Sequence, residues 1–170
     1  MRELALLFAI VFALTTALVL PTTADEETVN AKVTPKVIAV TVSANLLEYS
    51  SVGVGTTDSV PDPTNVLVTN SGTVVEDFKI RGASSSPGGW TLTSSATGAD
   101  TYKHKFDLSS SGSFSGSLTT ANQGLIDDVA ASGDVQVFFK LDMPTSTTSL
   151  VEQTLPIVIT ALESTASGPS

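Results

Sequence analysis

The chain contains no cysteine and only one histidine among its 170 residues. Without cysteine no disulfide can form and no cysteine can carry a lipid, so stability must come from core packing and backbone hydrogen bonds. One histidine without cysteine cannot supply the usual ligands of zinc. A serine hydrolase needs a histidine base and a Gly-x-Ser-x-Gly motif, and that motif is absent. The sequence therefore predicts no catalytic residues, no cofactor and no metal site.

Basic residues are also scarce, since 8 Lys and Arg stand against 17 Asp and Glu and the net charge is −9. Nucleic-acid binding needs clustered Lys and Arg, whereas the basic residues of this chain are spread thinly. We therefore predict that nucleic acid is not a partner. The acidic surface is expected to maintain solubility.

Residues 1–24 have the pattern of a secretory signal peptide. Arg2 precedes an apolar run over residues 4–20, and a proline and small residues lead up to Ala24. We expect cleavage after Ala24, with Ala31 as the second choice, while a retained membrane anchor is the alternative. No second apolar span follows, so the prediction is a secreted, extracellular or cell-surface protein, with the periplasm as a further compartment and no membrane span after cleavage.

After this leader the sequence predicts an arm, one domain and a tail. Residues 25–36 form an acidic and then mixed N-terminal arm, and residues 164–170 are a polar tail. Between them, residues 37–163 alternate β-prone runs with clusters of Ser, Thr, Gly, Asn and Pro, and no sustained helical period appears. The predicted fold is all-β, a single immunoglobulin-like β-sandwich of about 7–9 antiparallel strands.

The clearest strands are predicted where polar and apolar side chains alternate. Residues 101–108 and 134–143 each have a period of two, so one face should lie in the core. Residues 154–162 are apolar on both faces, which predicts a central strand. Residues 122–132 are expected to form a short helical turn or a long loop. The further predicted strands are residues 37–43, 46–52, 65–69, 74–81 and 90–94, with a weak or edge strand around Phe114 and Leu118.

A tight turn at Asn70-Ser71-Gly72 is expected to join residues 65–69 and 74–81 into a hairpin. The segments 42–55 and 65–72 resemble the opening of immunoglobulin-like domains of the abnormal-spindle/Hydin type and of related bacterial surface modules. The resemblance covers residues 37–82 and departs afterwards. It implies an immunoglobulin-like fold and a role in scaffolding, adhesion or assembly, but by itself no reaction.

Several residues are candidates for chemistry. His104 lies on the apolar face between Tyr102 and Phe106, so we predict a packed, hydrogen-bonded side chain rather than a catalytic or metal-binding one. Calcium could take oxygen ligands from Asp127, Asp128 and Asp134, or from Asp58 and Asp62. Neither set has the spacing of a known calcium motif, and solvated loop carboxylates are the favoured interpretation.

Two non-enzymatic functions remain. The first is a secreted or cell-surface structural protein that associates with itself or with other surface proteins as a filament or surface-layer subunit. In this hypothesis the arm, with Thr28, Val29 and Val33, inserts as a donor strand into a neighbouring subunit. The alternative is a carbohydrate- or surface-binding module in which Trp90, Tyr49 and Tyr102 contact a glycan, although packing in the core or at its rim is the favoured interpretation of Trp90.

Overall fold

The computed structural model describes residues 31–111 and 114–165. The chain divides into two units, residues 1–34 and residues 35–170. In the first unit, residues 31–34 are exposed and lie outside any strand. The predicted signal peptide, together with Thr28 and Val29 of the predicted arm, lies outside the described residues. In the described ranges no helix is long and apolar enough to span a membrane.

The regular structure of the described residues is entirely β, which confirms the predicted all-β class. The strands of this part of the chain are β1 (Val40–Val42), β2 (Asn65–Asn70), β3 (Glu76–Gly82), β4 (Thr91–Leu92), β5 (Thr101–Asp107), β6 (Gly116–Ser117), β7 (Gln123–Val129), β8 (Asp134–Asp142) and β9 (Ile157–Glu163). They form two sheets. The larger has the order β1-β2-β8-β5-β4, with β6 also paired to β5, and the smaller has the order β7-β3-β9.

Neighbouring strands pair antiparallel except at β4, which runs parallel to β5. Parallel pairing differs from the predicted arrangement, and it involves only the two residues Thr91 and Leu92. The two sheets contribute side chains to one main core, so the arrangement is sandwich-like. The buried members of this core are Val66, Val68, Phe106, Val137 and Phe139 from the larger sheet, Phe78, Ile80, Leu125 and Val129 from the smaller sheet, and Leu118.

Strands with a clean period of two were predicted correctly. Tyr102, His104 and Phe106 are buried in β5, while the residues between them are partly exposed. In β8, buried residues likewise alternate with partly exposed ones from Val137 to Leu141, and Asp142 is buried as well. The expected burial of Leu108 is wrong, because β5 ends at Asp107 and Leu108 is 40% exposed.

Three other expectations are wrong. Residues 46–52 form no strand and make only an isolated bridge between Glu48 and Asp62. Residues 122–132 contain β7 rather than a helical turn or loop. The segment 154–162 was expected to be central, but β9 is an edge strand with β3 on one side only. On its outer face Val158 and Thr160 are partly buried, whereas Leu162 is exposed.

The expected hairpin between β2 and β3 is also wrong, because the two strands belong to different sheets. The turn exists, and the side chain of Asn70 redirects the chain there. Its Nδ2 donates to the carbonyls of Val74 and Val129, both at 2.8 Å, and its Oδ1 accepts from the backbone N–H of Gly72 at 2.9 Å. This fully buried amide therefore ties the end of β2 in one sheet to the end of β7 in the other.

Candidate functional site

The three aromatic residues predicted to contact a ligand lie together in a second, smaller core. Tyr102, Leu141 and Met143 are its buried members, and Tyr49 and Trp90 pack against it. Tyr102 is 1% exposed and its hydroxyl donates to the carbonyl of Ala83. Because its ring is covered, Tyr102 cannot form a stacking surface for a sugar, and that prediction is corrected.

Trp90 is half-buried, and its side chain contacts both Tyr102 and Thr147. Its centroid lies 6.5 Å from that of Tyr102, and Nε1 donates to Thr147 Oγ1 at 2.7 Å. The hydrogen bond ties the loop before β4 to the loop after β8. The described geometry thus gives Trp90 a packing role, while contact with a glycan stays a prediction for its exposed part.

His104 occupies the centre of this region and is 1% exposed. Its Nε2 lies 2.7 Å from the Tyr49 hydroxyl, and its ring meets the rings of Tyr49 and Phe139 edge-on at 5.5 and 5.6 Å. Burial lowers the pKa of His104 to about 4 and raises the pKa of Tyr49. The imidazole is therefore neutral at pH 7, and its Nε2 shares a hydrogen bond with the Tyr49 hydroxyl. This is the packed, hydrogen-bonded histidine that the sequence predicted.

A charged cluster lies on the outer face of the larger sheet. Lys105 Nζ is 2.7 Å from Asp142 Oδ2 and 3.1 Å from Asp58 Oδ1, and the backbone N–H of Asp58 donates to Asp142 at 2.8 Å. Burial acts to lower the pKa of Lys105, but the hydrogen bonds to both carboxylates outweigh it and the pKa is raised. This cluster fastens the loop containing Asp58 to β5 and β8, which is a structural role.

Three of the five carboxylates considered for calcium have protein partners. Asp58 binds Lys105, Asp127 lies 3.3 Å from Lys79 Nζ, and Asp128 accepts from Ser164 Oγ at 2.5 Å. Among the described residues, no group of three or more His, Cys, Asp or Glu is placed to hold a metal ion.

The feature that stands out chemically is the backbone along the free edge of β9. Ser164 N donates to the carbonyl of Val75 at 2.9 Å, and the register continues without a shift from Glu76↔Glu163 to Gly82↔Ile157. Hydrogen-bonded pairs alternate along an antiparallel ladder, so Leu162, Thr160 and Val158 bond to β3. The backbone groups directed away from β3 belong to Ile157, Ile159, Ala161 and Glu163.

This edge lacks the devices that usually protect an edge strand. Such edges are commonly short, bulged or rich in Lys and Pro. β9 spans seven residues and consists of Ile, Val, Thr, Ala and Leu up to the single charge of Glu163. The side chains of Ile157, Ile159 and Ala161 pack only partly against the core. Leu162, on the outer face, is 47% exposed.

The other edges differ from β9 in these respects. β7 has register shifts against β3 and carries the exposed Asp127 and Asp128. In the larger sheet, β1 has three residues, and β4 and β6 have two each. β9 is therefore the long, regular and apolar edge of the described strands. Sequence reasoning missed this role because apolar residues on both faces also indicate a buried central strand.

The free edge of β9 lies beside β1, which is an edge of the larger sheet. At one end of the two edges, Lys36 Nζ and Glu163 Oε1 are 2.6 Å apart. Val37, Ile38 and Val42 are each 43–49% exposed along β1 and the segment before it. The edges formed by β9 and β1 thus place backbone N–H and C=O groups without a strand partner among the described residues, together with apolar side chains, on the same side of the domain.

Comparison with known proteins adds no relative. No family model, no curated protein and no solved structure matches the chain. The resemblance of residues 37–82 to immunoglobulin-like surface modules stays a prediction.

Proposed function

We propose that this chain is a non-enzymatic structural protein, exported to the cell surface or beyond, whose copies assemble by strand addition along β9. The observation that carries the proposal is the unprotected, seven-residue edge of β9 beside the half-exposed apolar residues of β1 and of the segment before it. An extended segment that pairs with such an edge gains main-chain hydrogen bonds, and its alternate side chains fill apolar pockets.

The donor segment in this proposal is the N-terminal arm of a second copy. In residues 28–33, Val29, Ala31 and Val33 alternate with polar residues, which is the pattern of a strand with one apolar face. The Val33 side chain is 88% exposed and is therefore accessible for contact with a second copy. A strand of this type would extend the order β7-β3-β9 by one strand beside β9. Its apolar side chains would then lie next to Ile157, Ile159 and Ala161 on the same face of the sheet.

The net charge of the chain argues against assembly by ionic attraction between copies, whereas pairing of backbone groups does not depend on opposite charges. Each copy carries a net charge of −9, so copies repel one another at low salt. Salt screens this repulsion over a Debye length of about 8–10 Å at physiological ionic strength. We therefore expect assembly to strengthen, not weaken, as salt is added.

Electron microscopy and sedimentation of the chain beginning at Asp25 test the donor role of the arm. We expect extended assemblies for this chain and discrete particles for the variant Val29→Asp/Val33→Asp, because two carboxylates would enter an apolar groove. The control variant Thr28→Asp/Asn30→Asp adds the same residue type to the polar face and should still assemble. Equal assembly of both variants, or discrete particles of the parent chain in every salt condition, would contradict the proposal.

A further inference from the structure

The loop between β8 and β9 presents a large apolar tip to solvent. Leu150 is 91% exposed and Val151 is 60% exposed. Exposed apolar groups at adjacent positions mark interaction sites more often than do scattered ones. Little in the sequence indicates this tip, since Leu150 and Val151 simply follow a run of Ser and Thr.

The tip is held in place by an extensive set of hydrogen bonds. Thr147 Oγ1 accepts from Trp90 Nε1 at 2.7 Å, and the carboxylate of Asp100 accepts from the N–H and hydroxyl of Thr148 at 2.8 and 2.9 Å. Gln153 Nε2 donates to Ser149 Oγ at 2.9 Å and to the carbonyl of Val151 at 3.1 Å. An anchor fixed before binding loses less conformational entropy on association than a mobile loop does.

A complementary hollow lies on the outer face of the larger sheet. It has a volume of about 260 Å³ and is lined by Val60, Phe114, Phe138 and Lys140, among others. Val60 is 55% exposed, and Lys140 Nζ lies 4.6 Å from the centre of the Phe114 ring. The hollow therefore combines apolar side chains with the hydroxyl residues Thr64 and Ser110 and one ammonium group.

Charge matches the tip to this hollow. Glu152 directly follows Val151, is exposed, and takes part in none of the ion pairs of the described residues. In the hollow, Lys140 Nζ is 4.0 Å from Asp58 Oδ1, an oxygen that Lys105 approaches more closely at 3.1 Å. The tip thus offers an apolar pair and a carboxylate, and the hollow offers apolar side chains and a cation whose own partner, Asp58, is 4.0 Å away.

We propose that the tip, Leu150 and Val151, docks in the hollow of a second copy of this chain, with Glu152 paired to Lys140. The tip follows the end of β8, whereas Phe138 and Lys140 lie within β8 on its outer face. Because tip and hollow are different patches, the contact is heterologous, and a docked pair as a whole leaves one tip and one hollow free. This contact does not require strand addition at β9. It is small and therefore weak by itself, so copies in which strand addition is blocked stay discrete in sedimentation, while cross-linking traps the contact.

Cysteine cross-linking tests the contact without background, because the chain has no cysteine of its own. In the chain beginning at Asp25, Leu150→Cys mixed with Val60→Cys is expected to form a disulfide-linked heterodimer. It should form at least about tenfold faster than a mixture of Leu46→Cys with Val60→Cys, since a disulfide needs Cα atoms within about 7 Å. Leu46 is a matched control because it is an apolar residue that is 61% exposed.

Charge-reversal variants test the proposed ion pair between Glu152 and Lys140 in the same cross-linking experiment. Lys140→Glu or Glu152→Lys alone should slow the cross-link about two- to fivefold, and the two together on opposite partners should restore it. Running it in the Val29→Asp/Val33→Asp background separates this contact from strand addition, which that background blocks. Equal rates for Leu150→Cys and Leu46→Cys would overturn the docking proposal and leave the role of β9 untouched.

Discussion

Ala161→Pro is expected to block assembly of the protein while leaving its fold intact. The register places the Ala161 N–H on the free side of β9, so proline there removes no hydrogen bond to β3. Proline is tolerated on an edge strand when its nitrogen faces away from the sheet. An added strand would lose one bond and meet the proline ring, so we expect association at least about tenfold weaker, the equivalent of about 1.4 kcal/mol.

Thr160→Pro is the matched control for this prediction. Thr160 is opposite Lys79 at a position where the backbone bonds to β3, so proline removes a ladder hydrogen bond. We expect it to lower the free energy of unfolding by about 1–3 kcal/mol, and Ala161→Pro to change it by less than about 1 kcal/mol. Denaturant unfolding and sedimentation velocity measure the two effects. A stable Ala161→Pro protein that assembles like the parent would refute the role of the β9 edge.

Acidification is expected to destabilise the protein through His104. Its pKa is about 4 in the folded protein, against 6.5 in the unfolded chain. The unfolded state therefore binds more protons between these values, so the stabilisation is fully present above pH 6.5 and is lost as the pH falls to 4. The loss attributable to this group is up to about 3 kcal/mol, because each pKa unit corresponds to about 1.4 kcal/mol.

Two variants isolate this contribution from the carboxylates. His104→Gln removes the titrating group, so its free energy of unfolding should depend less on pH between 6.5 and 4 than that of the parent. Tyr49→Phe removes the hydroxyl but keeps the histidine buried, and burial is the cause of the lowered pKa. It should retain the pH dependence of the parent. Identical slopes for the parent and His104→Gln in denaturant unfolding would contradict the neutral, buried imidazole.

The sequence predicted strands well where one face meets the core and the other meets water. β5 and β8 have that pattern, and their burial follows it. β7 escaped prediction because Gly124, Asp127 and Asp128 interrupt the alternation, and because the strand shifts register against β3. A bulge changes which face the later side chains occupy, so a fixed period of two cannot detect such a strand.

Partners across the sheets could not be predicted from local signals. The turn residues Asn70 and Gly72 indicate a change of direction but not which sheet the next strand joins. That choice depends on the bond from Asn70 to the carbonyl of Val129, which is 59 residues away in sequence. Similarly, His104 was placed correctly on the core face, but its hydrogen bond to Tyr49 depends on a loop without any strand.

The wrong prediction for β9 is the most informative one. Its apolar residues on both faces predicted a central strand, and the structure places it at an edge. The pattern and the position agree if a strand from another molecule pairs with β9, because the strand is then central in the assembled protein. The same argument accounts for the absence of Lys, Pro and bulges along this edge.

Hydrogen–deuterium exchange of β9 tests strand addition most directly. In the dispersed protein, the amides of Ile159 and Ala161 should exchange quickly, while those of Val158, Thr160 and Leu162 are protected by β3. On assembly of the chain beginning at Asp25, Ile159 and Ala161 should become protected. If assemblies form and these two amides still exchange as in the dispersed protein, β9 does not receive a strand and the proposed mode of assembly is wrong.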